Sequence, residues 1–170
     1  MVNGKLEQNK HEKSVSFFSK VLTVGFVGGV LWSSIGALAA YFNFTTVSPA
    51  SFLLRSWVRE NWVEGWLGTV LSILLIGLIS MGVAALYYLL LKNVESIWAS
   101  ALFGVTLWFV IFYLLQPIFK DIPRMTQLDS NTVVTTICLY LLYGTFIGYS
   151  ISYHYLDMQR GEGKDYSQQN

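Results

Sequence analysis

The sequence predicts an all-α membrane protein, a four-transmembrane-helix bundle with a short cytoplasmic hairpin between helices 2 and 3. Three observations carry that prediction. Only 12% of the 170 residues are charged, against about 25% in a soluble domain. The charges are excluded altogether from four stretches, residues 21–54, 65–91, 96–119 and 130–156. Each stretch can supply the roughly 20 apolar residues that a helix rising ~1.5 Å per residue needs to cross ~30 Å of hydrocarbon. An amphipathic helix of a soluble domain would show polar residues every few positions, because one face meets water.

In chain order, residues 1–20 are polar, with Lys5, Lys10, Lys13 and Lys20 partly balanced by Glu7 and Glu12. They read as a frayed cytoplasmic tail. The first span covers about residues 21–42. A basic start, an apolar run and Ala37-Leu38-Ala39 also sketch a signal peptide, but the run continues through Phe42 and exceeds a usual signal core of ~7–15 residues. An uncleaved helix is expected. Residues 43–65 form the first outer loop, with room for a short interfacial helix capped by Ser48 before Pro49, or by Ser51. The second span covers 66–91 and the third 97–119. Lys92-Asn93-Val94-Glu95-Ser96 is the whole link between them, short enough to make the two helices antiparallel neighbours. Pro117 should end or kink the third helix. The fourth span covers 133–155, and residues 156–170 have the composition of a flexible cytoplasmic tail. Residues 21–155 thus make a single transmembrane domain.

Orientation follows from Lys and Arg. Lys5, Lys10, Lys13, Lys20, Lys92, Arg160 and Lys164 lie on one side of the predicted topology, and Arg55, Arg59, Lys120 and Arg124 on the other. The excess places both termini and the central link in the cytoplasm. Trp57, Trp62 and Trp66 would mark the outer interface and Trp98 the inner one.

Two ladders of small residues recur at four-residue spacing: Gly25, Gly29, Ser33 and Ala37 in the first span, and Gly144, Gly148 and Ser152 in the fourth. In lipid such ladders let another backbone approach closely, within the monomer or between copies. They are the candidate helix-packing residues. A second candidate surface is the first outer loop, where Arg55, Trp57, Arg59, Glu60, Trp62 and Glu64 offer charge and aromatic area for docking. Anchoring of the loop in the interface plane is the plainer role for the same residues. The fourth span is also rich in hydroxyls, among them Thr135, Thr136, Tyr140, Tyr143, Thr145, Tyr149, Ser150 and Ser152. They line a polar crevice in one reading and bond to backbone carbonyls and neighbouring helices in the commoner one.

The chemistry that is missing narrows function further. No Asp, Glu, Lys or Arg falls inside a span, where ion- and proton-driven transporters place them. His154 lies near the cytoplasmic end of the fourth span, at a depth where water and headgroups solvate it. There is no Gly-x-Ser-x-Gly, no His-Glu-x-x-His and no phosphate-binding loop around Gly25-Phe26-Val27-Gly28-Gly29. Cys138 is the only cysteine, which excludes an internal disulfide and a Cys-based metal cage. No basic cluster interleaved with aromatics indicates nucleic acid. Asn43-Phe44-Thr45 fits a glycosylation pattern but abuts the first span, and is discounted. No enzyme and no cofactor is expected. The expected partners are the lipid bilayer and either a second copy or another membrane protein. The alternative is a small transporter or channel component lined by the fourth helix.

Four segments carry a family resemblance: Gly25-Phe26-Val27-Gly28-Gly29-Val30-Leu31-Trp32, Phe44-Thr45-Thr46-Val47-Ser48-Pro49, Gly65-Trp66-Leu67-Gly68-Thr69, and the run from Leu142 to Tyr153. With them the chain resembles the YqhR family of bacterial membrane proteins, of uncharacterised function. The resemblance implies a bacterial plasma-membrane location. It implies no catalytic or binding residue.

Overall fold

A computed structural model describes the backbone of residues 2–58, 63, 65–91, 94, 96–115, 118 and 127–167, and their side chains except at 2–16, 51–52, 56–57 and 156–167. The described residues contain helices and no strand. Helix α1 runs Val2–Tyr41, followed by the short α2 (Pro49–Phe52) and α3 (Leu54–Trp57). Then come α4 (Trp66–Leu91), α5 (Ile97–Phe109) with a π-helical turn Val110–Leu114, and α6 (Ser130–Ser167). Four segments are long and apolar enough to cross a membrane: Phe17–Tyr41, Trp66–Leu91, Ile97–Leu114 and Ser130–Tyr155.

These bounds differ from the sequence reading at both ends. The polar segments expected as tails are helical, continuous with α1 and α6. A helix already nucleated by a span extends at one hydrogen bond per residue, without a new nucleation cost. The first span also starts a turn early, because Phe17 is buried against Tyr88 and Tyr155. The third span closes at Leu114, while Gln116 and Pro117 lie outside the described residues.

The end of α1 shows how the sequence writes a stop. Asn43 takes φ 61°, the left-handed region that Asn tolerates better than most residues. Phe44 N–H then reaches Ala39 O (2.8 Å) and Asn43 N–H reaches Ala40 O (3.1 Å), the paired bonds of a Schellman motif. The chain turns there into the segment that leads to α2.

Two hairpins build the bundle. α1 packs most extensively on α4, and α5 on α6, with α1–α6 and α4–α6 contacts joining the hairpins along a thinner seam. The short link after α4 holds α4 and α5 antiparallel. They meet through side chains, Tyr87 against Phe103 with ring centroids 5.0 Å apart, whereas each brings its backbone closest to its hairpin partner. Leu, Ile, Val and Trp point outward along every span, with Leu78, Leu102, Trp66 and Trp98 all well exposed. That is the surface lipid requires. Below, the end of the bundle that carries residues 42–65 is called distal, and the end near Phe17 and Tyr155 terminal.

Candidate functional site

Lipid tails are as apolar as leucine, so helices in a bilayer are held by close packing and hydrogen bonds. Both are visible inside the hairpins. A Cβ built on Gly25 would stand 2.7 Å from Ala84 Cβ and 2.8 Å from Ser80 O. One built on Gly29 would collide with Ser80 and Gly77. In the second hairpin Gly144 sits against Gly104, where a Cβ would come within 2.5 Å of the facing Cα, and Gly148 sits against Ser100 and Tyr87. Ser33 and Ser152 are buried, and Ala37 is half-buried. The ladders therefore pack helix on helix within one chain. Their partners are a stripe on α4 (Gly77, Ser80, Ala84) and Ser100 with Gly104 on α5. Sequence reading missed this stripe, although its signal, small residues three and four apart, is of the same kind.

Hydroxyl clasps tie the helices at three depths. Near the middle, Ser80 Oγ donates to Gly25 O (2.6 Å) and lies 2.6 Å from Tyr143 OH. Serine has one proton, so Tyr143 is the donor in the second bond, and α1, α4 and α6 are joined at one point. Nearer the terminal end, Tyr87 OH lies 2.9 Å from Ser100 Oγ and 3.3 Å from Ser152 Oγ. Towards the distal end, Trp108 Nε1 donates to Thr136 Oγ1 (3.0 Å), which donates in turn to Thr132 O (2.7 Å). Thr132 Oγ1 accepts from Thr46 N–H (2.9 Å), and Thr135 donates to Phe44 O (3.2 Å), so α6 also holds the chain that follows α1. Thr145 bonds back to Leu141 O (2.8 Å). These hydroxyls close on neighbours instead of facing an open path.

Between the hairpins the packing is different. α1 and α6 touch at Gly28, where a Cβ would stand 3.0 Å from the Phe146 ring and 3.1 Å from Ile147. Distal to this crossing a cavity of about 170 Å³ opens. Trp32, Ser33 and Gly36 of α1, Ile76 to Val83 of α4, Leu107, Ile111 and Phe112, and Thr136 to Tyr143 of α6 form its walls, with residues 47–49 at its distal end. The π-helical turn contributes Ile111 and Phe112, and such turns recur at functional sites. The walls are almost wholly apolar. Trp32 Nε1 is nevertheless buried with no hydrogen-bond partner, and Tyr140 OH, also on the wall, has none among the described residues.

The outer-loop candidates do not form a displayed patch as far as they are described. Arg55 on α3 is half-buried, with Nε out of solvent and no acceptor. The backbone of Trp57 ends α3, while its side chain and Arg59, Glu60, Trp62 and Glu64 lie outside the described residues. Among the described residues no group of three or more His, Cys, Asp or Glu comes together as a metal site. His154 sits at the terminal end, 3.4 Å from Lys20 Nζ and stacked on Phe17.

The sequence matches the family described as "Conserved membrane protein YqhR" over residues 2–166. It is 46% identical over 149 residues to "Uncharacterized protein YqhR" of Bacillus subtilis (strain 168), covering 88% of this chain and 83% of that protein. No solved structure matches it. With apolar spans, a two-hairpin bundle and a match along nearly its whole length, the chain belongs to the YqhR family of conserved membrane proteins.

Proposed function

We propose that this is a non-catalytic bacterial plasma-membrane protein that binds a membrane-soluble molecule in the cavity between its two hairpins. The observation that carries the reading is Trp32 Nε1, a buried donor without an acceptor on the wall of an apolar cavity. An unpaired buried donor costs about 1–3 kcal/mol, which a carbonyl or ether oxygen on an otherwise apolar ligand would recover. Water is the poorer occupant, since it needs several polar partners. Apolar cavities of roughly 150 Å³ take up benzene, so a space of about 170 Å³ suits a ring or a short chain segment. The inward closure of the α6 hydroxyls favours binding over conduction.

The bilayer is the protein's medium and the source of its ligand, and nucleic acid has no place in this reading. The glycine ladders are occupied within the monomer, so a second copy or another membrane protein would meet the bundle on a different face. Both termini lie in the cytoplasm in this reading. Reporters fused at either terminus should then read as cytoplasmic, and one inserted at residues 43–65 as external; the reverse pattern would overturn the orientation.

The test of binding is organic extraction and mass spectrometry of the purified full chain. Wild type should carry a reproducible apolar compound, and Gly36→Leu, which grows a side chain into the cavity, should lose it. Equal recovery from both proteins, or none from either, would sink the proposal.

A further inference from the structure

On the terminal side of the Gly28 crossing, α1 and α6 diverge again and leave a groove of about 430 Å³. Its floor is apolar, with Phe17, Val21 and Ile151 all buried. Its polar groups are Lys20, Thr23, Tyr149, Ser150, Tyr153 and His154. The balance of donors and acceptors among them is uneven. The Lys20 ammonium offers three protons, and its one polar neighbour among the described residues is His154 Nε2, at the long distance of 3.4 Å. The hydroxyls of Ser150, Tyr149 and Tyr153 make no hydrogen bond among the described residues, and the two tyrosine rings stack 5.4 Å apart along one flank. Thr23 already donates to Ser19 O (3.0 Å). No Asp or Glu lines the groove.

A cation beside several idle hydroxyl donors, with no carboxylate among them, fits an anion. A cation facing the edge of the hydrocarbon gains from a counter-charge there more than it would in water. We propose that this groove binds an anionic phosphate, with Lys20 Nζ as the charged contact, Ser150 and Tyr153 as neutral donors, and the apolar floor receiving whatever is attached to the phosphate. The source is either a phospholipid headgroup or a soluble phosphate, the chemistry being common to both. Lys20 stands one turn inside the span that begins at Phe17, close to the level of lipid phosphates. In the cytoplasmic orientation proposed above it would face the leaflet where anionic lipids concentrate. The Gly28–Phe146 contact separates this groove from the distal cavity, so either site can fail without the other.

Native mass spectrometry of the full chain in mild detergent tests this, with phosphatidylglycerol, diacylglycerol of the same chains, and inorganic phosphate as probes. Wild type and Lys20→Arg should retain phosphatidylglycerol over diacylglycerol. Lys20→Gln should retain about fivefold less, the factor expected for a lysine worth ~1 kcal/mol beside an anionic surface. Displacement of that lipid by inorganic phosphate, or Lys20-dependent binding of phosphate alone, would support the site with a soluble source. Equal retention by wild type and Lys20→Gln, equal retention of the two lipids, or loss in Lys20→Arg as well as Lys20→Gln would each overturn it. Gly36→Leu, which alters the other cavity, should behave as wild type here.

Discussion

The interiors of the two hairpins and the seam between them are built on opposite plans. Within a hairpin, small residues face small residues: Gly25 and Gly29 meet Gly77, Ser80 and Ala84, and Gly104 and Ser100 meet Gly144 and Gly148. Backbones approach until a single added carbon would collide. Along the seam, Trp32, Tyr140, Tyr143, Phe146 and Phe112 stand between the helices and leave a cavity of about 170 Å³. The contrast teaches where cohesion comes from in lipid. No hydrophobic force presses the hairpins together there, so contact persists where shape is complementary. A void that a soluble core would close at a cost of roughly 24 cal/mol per Å³ can remain where lipid-soluble matter fills it.

The comparison can be broken most severely inside the second hairpin. Gly144→Leu should destabilise the protein by about 3 kcal/mol or more, since overpacking of this kind presses backbone on backbone. Denaturant-dependent unfolding in mixed micelles would read it, and a change below ~1 kcal/mol would contradict the close approach. Gly25→Leu should cost somewhat less, about 2 kcal/mol, because part of the collision is with the side chain of Ala84. Hydrogen exchange by mass spectrometry should localise its loosening to α1 and α4.

Smaller effects sharpen the seam. Tyr143→Phe removes the donor that ties α6 to Ser80 and should cost about 1 kcal/mol, in the range of hydrogen bonds between membrane helices. If it changes unfolding by less than ~0.3 kcal/mol, the central clasp is a bystander. The smallest change is expected at Gly36, where a Cβ meets nothing nearer than Leu139 Cδ1 at 3.8 Å. Gly36→Leu should stay within about 0.5 kcal/mol of wild type, the loss of cavity offset by better helix propensity. Gly82→Leu is the matched control, with nothing within 4 Å of its Cβ. A large loss at Gly36 and none at Gly82 would mean that the seam is as tightly packed as the hairpins.

Much of the architecture was legible. The charge-free stretches located four spans, and the ladder at Gly25, Gly29, Gly144 and Gly148 named residues that lie at helix crossings. The missing parts have physical reasons. Span ends at Phe17 and Leu114 depend on what the next side chain packs against, which composition does not encode. The hydroxyls of α6 could be read as a crevice or as clasps, because Thr136 and Tyr143 look alike in sequence whether they face a pore or Trp108 and Ser80. Trp32 read as one more apolar residue of its span. Its unpaired Nε1 exists as a feature only when α4, α5 and α6 surround it without an acceptor.

The sequence by itself determined the number of spans, their antiparallel order and the small-residue faces. Those follow from one-dimensional quantities: the length of apolar runs, the length of links and residue spacing along a helix. Tertiary structure alone decided which ladder meets which stripe, that the ladders are occupied within one chain, and that the hairpins part on either side of Gly28. These depend on the angle at which rigid helices cross and on the volumes left beside the crossing. That geometry belongs to several distant segments at once, and no single segment of the sequence contains it.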